Sequence, residues 1–368
     1  MTGVNEAESG GIDMKAVLLK AFDQPLEIAD LPDPVAGSGE AVVEIAAARV
    51  LPYMREVVSG VRVYPMELPL APGAGAVGRI RALGPDATRL KIGDWVLCDP
   101  TLRSRDDPLT PDIVLQGLVA RGPGGATLQR RYRNGSYAQL MLAPLENLHP
   151  LGAIAPEQAP RWLGVGTMLV PYGGLLAIDF RPGETLVVSG ATGNFGGAAV
   201  MLALGLGAVG VVALGRNAEA LAALERRFGP RVRGVALSGD EARDVELIRA
   251  AAPGPIDAAL DILPPGAGPA STRAAAFALR EFGRLALMGG QQDDIALPYG
   301  WLMRNSVTIR GQWMYPRAAN SSLIALARAG LVDLGAFEIA TFPLDRIEDA
   351  LDHAAANAGA FKTTALQP

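Results

Sequence analysis

The stretch Val187–Val200, VVSGATGNFGGAAV, places four glycines in a run of small apolar residues. TLVVSG (Thr185–Gly190) leads into it, a helix-like segment follows, and VGVVALG (Val209–Gly215) lies beyond. Strand, glycine turn, helix and strand in that order let backbone N–H groups at a helix start approach a pyrophosphate, so the turn predicts a dinucleotide cradle. Its spacing is GxxGxxG, with Gly190, Gly193 and Gly196 as the frame. From Gly196 to Gly215 no residue is charged, which is long enough for a membrane span. The glycines inside it argue instead for a short helix followed by a strand, and no membrane partner is expected.

Working downstream, apolar runs alternate with amphipathic segments: NAEALAALERRFG, VRGVAL, DEARDVELIRAAAP, IDAALDIL, STRAAAFALREF, GRLALMGG and SVTIRG. Six strand candidates interleaved with helices predict an α/β domain, a doubly wound, six-stranded parallel sheet covered on both faces. Working upstream, KAVLLKAF, EAVVEIAAA, AVGRIRALG and GDWVLCDP are short apolar runs cut by Gly, Pro and Asp, the pattern of a small antiparallel β-barrel. Between Asp99 and Gly135 the chain turns polar (RSRDDP, RGPGG, QRRYRNG) and reads as a long surface excursion before GSYAQLMLAP returns to strand character. The closing FPLDRIEDALDHAAANAGAFKTTALQP reads as a helix and a strand that fold back onto the barrel.

The whole chain, 368 residues, exceeds one ordinary hydrophobic core, so two domains are expected. A formal net charge of -5 and the lack of a Lys/Arg block argue against a nucleic-acid partner. One cysteine, Cys98, permits no intramolecular disulfide and fits a reducing, cytoplasmic setting. The acidic start MTGVNEAESGGID lacks the basic and apolar regions of a secretory signal and reads as a floppy tail ahead of Met14.

Which dinucleotide is bound depends on the end of the second strand. A carboxylate there accepts bonds from the ribose hydroxyls of NAD, whereas a 2'-phosphate favours arginine. Gly215, Arg216 and Asn217 stand at that place, and no Asp or Glu occurs from Gly190 to Ala218, so NADP(H) is the expected cofactor. Arg216 also fits the plainer role of a solvated helix-start residue.

Taken in order, the small barrel, GDWVL, GSYAQL, the glycine turn, GRN and FPLDRIEDALDHA resemble the medium-chain dehydrogenase/reductases from Met14 onward. GATGNFG, VYPMELPLAPG (Val63–Gly73) and VTIRG (Val307–Gly311) look most like the zinc-free quinone oxidoreductase branch. The resemblance implies a GroES-like domain over residues 14–160 and 318–368 and a Rossmann domain over residues 161–317. It implies cofactor contacts from Thr167, Gly190, Thr192, Gly193, Asn194, Phe195, Gly196, Gly215, Arg216, Asn217 and Gly289. A homodimer joined through SVTIRG is a further implication.

Zinc-dependent members carry a cysteine early in the barrel domain and a Gly-His-Glu after it; the matching positions here are Leu51, Ala74 and Gly75, which cannot ligate a metal. The long excursion holds none of the four cysteines of a structural zinc site. Cys98, His149 and His353 are the remaining soft ligands, scattered over separate elements, and read as a buried hydrophobe, a loop residue and a surface or packing residue. No metal is expected.

Without a cation to polarise a carbonyl, hydride transfer favours an acceptor already activated, a quinone or a conjugated alkene, whose developing enolate needs a hydrogen-bond donor. By resemblance Tyr53 and Tyr64 are the candidate donors; each also fits a tyrosine packing at a cleft edge. Leu51, Met54 and Trp313, with Met314 and Tyr315, are expected to line a site for a small, apolar, carbonyl-containing or quinone substrate. An NADPH-dependent carbonyl reductase and a non-catalytic NADPH-binding sensor are the alternatives.

Overall fold

The computed structural model describes residues 13–368, so the expected N-terminal tail lies outside the described residues. Spatial contacts divide the chain into two units. The first takes the chain to Leu163 together with Ile339–Ala356 and Thr364–Pro368, and the second holds Gly164–Glu338 and Asn357–Thr363. The sequence-drawn boundary after residue 317 therefore lies short of this division, which keeps residues 318–338 with the second unit.

The first unit begins with a hairpin of β1 (Asp13–Leu18) and β2 (Glu27–Pro32). The long β3 (Glu40–Val50) leads to the five-residue helix α1 (Met54–Val58), then to β4 (Ala76–Leu83) and β5 (Trp95–Cys98). β3 is the spine of the unit because its apolar residues are buried at nearly every position and it pairs antiparallel with β4 along one edge. Register shifts at Val42/Val43 and Ile45/Ala47 bend it, as bulges do.

Residues 99–135 form more than the polar loop their composition predicts. They fold into β6 (Thr101–Arg103), β7 (Ile113–Leu115) and β8 (Val119–Ala120), a three-stranded antiparallel sheet, and helix α2 (Gly122–Arg131). Leu102, Val114, Ala120 and Tyr132 give this lobe its own small core. Its arginines, which read as solvated, are partly committed. Arg131 pairs with the buried Glu40, whose carboxyl the guanidinium holds below the usual carboxylate range, and Arg105 donates to Glu146, to Gly39 O and to Tyr132 Oη. β9 (Leu140–Pro144) and β10 (Leu148–Pro150) return to the main sheet, against β3 and β5 respectively.

The second unit holds most of helix α3 (Ala159–Ala177) and then β11 (Thr185–Ser189), α4 (Asn194–Gly205), β12 (Gly210–Gly215), α5 (Ala218–Phe228) and β13 (Val232–Ala236). α6 (Glu241–Ala251), β14 (Ala258–Asp261), α7 (Ala270–Ala278), β15 (Arg284–Leu287), α8 (Tyr299–Asn305) and β16 (Thr308–Gly311) follow. All six strands pair in parallel in the order β13-β12-β11-β14-β15-β16. Every residue of β11, β12 and β14 is buried, which explains why these strands are continuous apolar runs rather than alternating ones. The uncharged run 196–215 is cut, as expected, into the end of α4 and β12, and no helix among the described residues is long and apolar enough to cross a membrane. Asn217 and Asp240 cap α5 and α6 by accepting the N–H groups of Ala220 and Arg243 at 3.0 and 2.9 Å.

After α9 (Ala318–Arg328), a helix the sequence reading did not separate, come β17 (Glu338–Pro343), α10 (Ile347–Ala356) and β18 (Lys362–Gln367). Thr364–Leu366 pair with Ala48–Val50 of β3, which closes the return onto the first unit. Leu344, Ile347, Ala350, Leu351 and Ala354 join the same core as Val43, Ile45 and Val57.

Candidate functional site

Strand order fixes where the second unit can hold a ligand. β11 connects to β12 on one side and neighbours β14 on the other, so the crevice at its carboxyl end is not filled by a crossover. The glycine turn stands there. Gly190 takes φ +80°, a left-handed conformation open to glycine at little cost. A Cβ on Gly196 would lie 2.0 Å from Gly190 O, so α4 presses directly on the end of β11. Gly193 is the exposed N-cap of α4, and a first helical turn has no intrahelical acceptors for its N–H groups. The turn thus presents a glycine-framed helix N-terminus, an arrangement suited to a pyrophosphate.

The other expected contacts surround it unequally. Gly215 ends β12 close to Thr192, where a Cβ would meet Thr192 Cγ2 at 2.9 Å. Arg216 is exposed at the strand's end, while the side chain of Asn217 is committed to capping α5. Asn194 and Phe195 open α4, and the Asn194 amide donates to Lys362 O at 2.7 Å, which ties α4 to the C-terminal return. Ala360 N–H likewise donates to Thr192 O at 3.0 Å. Gly289 packs against the next loop, its missing Cβ filled to within 2.6 Å by Leu263 O. Thr167, on α3, is fully buried, and its hydroxyl has no hydrogen-bond partner in the protein. An orphaned buried hydroxyl on α3 and a turn closed to any Cβ at Gly196 fit a bound dinucleotide.

Trp313 is 43% exposed, whereas Met314 and Tyr315 are buried; a Cβ on Gly173 of α3 would come within 2.1 Å of Met314 O. Of the three residues expected to line a substrate site here, Trp313 alone faces out. In the first unit Leu51 and Met54 are 5% and 1% exposed and belong to the antiparallel core.

Tyr53 and Tyr64 do meet. Tyr53 precedes α1 and Tyr64 lies in the segment 61–65, and their rings sit edge to face with centroids 6.3 Å apart. Both are partly buried. Burial, then Tyr64 alongside, pushes the Tyr53 phenol well up, so it keeps its proton as a neutral donor. Arg62 lies over the Tyr53 ring, with Cζ 4.1 Å from the centroid, and donates to Glu56 at 3.0 Å. Arg55, nearer in sequence, is turned away to Glu348 and Asp352. The sequence reading missed Arg62; its clue was the alternation in VRVYP, where Val61 and Val63 are exposed and Arg62 and Tyr64 are not.

The donor set does not fit a zinc site. Leu51, Ala74 and Gly75, which the resemblance aligns with the zinc ligands, carry no metal-binding side chain, and among the described residues no three His, Cys, Asp or Glu side chains converge. Cys98 is buried in the antiparallel core, where desolvation drives its thiol far up and away from the thiolate a metal binds. His149 is a buried residue of β10, not the loop residue expected; position beside Pro150 misleads because β10 ends at that proline. His353 packs on Phe342, and its Nδ1 lies 2.9 Å from Thr364 Oγ1.

Comparison with known proteins gives consistent results. Residues 37–153 match the alcohol dehydrogenase GroES-like domain family. An alcohol dehydrogenase of Moraxella sp. (strain TAE123) is 28% identical over 353 residues, 91% of this chain and 94% of that protein. An acryloyl-coenzyme A reductase of Metallosphaera sedula is 28% identical over 222 residues, 60% of this chain and 63% of that protein. In structure, the chain superposes on a short chain alcohol dehydrogenase of E. coli CFT073 complexed with NADH, with a TM-score of 0.77 at 16% identity, covering 97% of this chain and 100% of that one.

Proposed function

This chain belongs to the medium-chain dehydrogenase/reductase superfamily and is an oxidoreductase; from that premise we propose that it is a zinc-independent, NADPH-dependent reductase of quinones or activated alkenes. One observation carries the reading: non-ligating Leu51, Ala74 and Gly75 stand where zinc-dependent members keep ligands, and two phenols in edge contact stand beside them in sequence.

The glycine turn and Thr167 would hold the dinucleotide, with Arg216 toward the 2'-phosphate. A bound reduced nicotinamide supplies the hydride. An acceptor such as an enone then carries negative charge on its carbonyl oxygen, and Tyr53 or Tyr64 donates a hydrogen bond and finally a proton there. The relative named for reducing an acryloyl thioester, an activated alkene, supports this substrate class. The relatives named alcohol dehydrogenases support the second reading, a carbonyl reductase with a small carbonyl or alcohol substrate. The exposed outer strand β16 supports a homodimer, and the single buried cysteine supports a cytoplasmic site.

Mixing the protein with NADPH or NADH and a panel of quinones, enones and simple aldehydes, while following cofactor absorbance, tests the reading. Oxidation of NADPH by enones or quinones is expected. Turnover of aldehydes alone would transfer the assignment to a carbonyl reductase, and tight NADPH binding with no oxidation would mark a sensor.

A further inference from the structure

Tyr53 and Tyr64 share one neighbour that the proposed chemistry has not used. The Arg62 side chain is 20% exposed, covers the face of Tyr53 at 4.1 Å, acts electrostatically on Tyr64, whose ring meets Tyr53 edge to face, and is held from behind by Glu56. It therefore bears on both phenols while its own orientation is fixed by a carboxylate. The other charged or titratable groups acting on this pair are Arg49 and, through Arg49 and Tyr53, the buried Tyr137, whose hydroxyl donates to Arg49 O.

On the reading above, we infer that Arg62 is the positioning residue of the tyrosine pair: it fixes the Tyr53 ring, against which Tyr64 packs, and it faces the negative charge the pair acquires when its proton leaves. The balance is simple. The alkene gains hydride from the reduced nicotinamide at its β-carbon, and the π electrons move to the carbonyl oxygen. A phenol O–H bond breaks and its proton passes to the enolate. The electron pair left on the phenolate oxygen lies beside the guanidinium until a solvent proton restores it. Charge-assisted contacts of this kind are stronger than neutral ones, and a planar guanidinium can stack on an aromatic ring while its edge donates to another partner, which a compact ammonium cannot match.

The test is a double-mutant cycle on the full chain, with enone reduction by NADPH as one readout and the near-ultraviolet tyrosine difference spectrum of cofactor-free protein as another. Arg62→Gln is expected to lower kcat by roughly tenfold to a hundredfold with KM little changed, and Arg62→Lys to recover only part of it. In the Tyr53→Phe, Tyr64→Phe background the same Arg62→Gln change should cost almost nothing further, and its tyrosine difference spectrum should vanish. If Arg62→Gln loses as much there as in the parent, or keeps full kcat while the tyrosine variants are slow, the Arg62 assignment is overturned. If the tyrosine variants themselves keep full activity, the donor reading beneath it has failed instead. A melting curve for each variant separates loss of fold from loss of function.

Discussion

The glycine turn of the second unit and the tyrosine pair of the first are built by opposite means. At Gly190–Gly196 the proposed cradle is made of backbone, and the side chains matter chiefly by being absent: one methyl group at Gly196 would collide with a carbonyl 2.0 Å away. At Tyr53–Tyr64 the backbone is an ordinary short helix start and an extended segment, and everything depends on which side chains meet: two phenols, a guanidinium and a carboxylate. The first kind of site is announced by local order along the chain. The second becomes visible only once residues separated in sequence are placed together.

That contrast can be attacked at both ends. The largest effect is expected from Gly196→Ala, which must push α4 off the end of β11. Dinucleotide binding should weaken at least about a hundredfold, with roughly 1–3 kcal/mol of stability lost to overpacking. Calorimetric titration with NADPH and a denaturant melt check it, and unchanged binding would mean that the cradle is not where the pyrophosphate lies. Next come Tyr53→Phe and Tyr64→Phe, which remove a hydroxyl and no packing. The variant lacking the true donor should lose roughly 10²-fold in kcat at an almost unchanged NADPH affinity. The smallest effect, and the most selective, belongs to Arg216→Ala. It should weaken NADPH by about ten- to a hundredfold and leave NADH nearly untouched, and equal losses for both would remove the arginine from the 2'-phosphate.

The sheet was readable because burial on both faces makes each strand a continuous apolar run, and TLVVS and GVVALG carry that signature without help from distant residues. The lobe at residues 99–135 was not. Its strands are two or three residues long and its small core draws on Leu102, Val114, Ala120 and Tyr132, too sparse a set to register as a period. Its polar residues are spent on bonds such as Arg105 to Glu146, which composition reads as solvation. The site divides in the same way. The glycine spacing and the carboxylate-free end of β12 are visible in the sequence, whereas the bonds of Asn194 to Lys362 O and of Asn217 to Ala220 N–H appear only in the fold. In the first unit Arg55 and Glu56 lie nearest Tyr53 in sequence, but a bend of the chain brings Arg62 over the Tyr53 ring and ties Arg55 to α10 instead.

The central claim is that protein hydroxyls, and no metal ion, meet the charge created by hydride transfer. The most direct measurement is the rate of NADPH-dependent enone reduction by protein dialysed against a strong chelator, with elemental analysis of the same sample. Full activity at far less than one zinc per chain is the predicted result. Activity that vanishes with the metal and returns with stoichiometric zinc would contradict it.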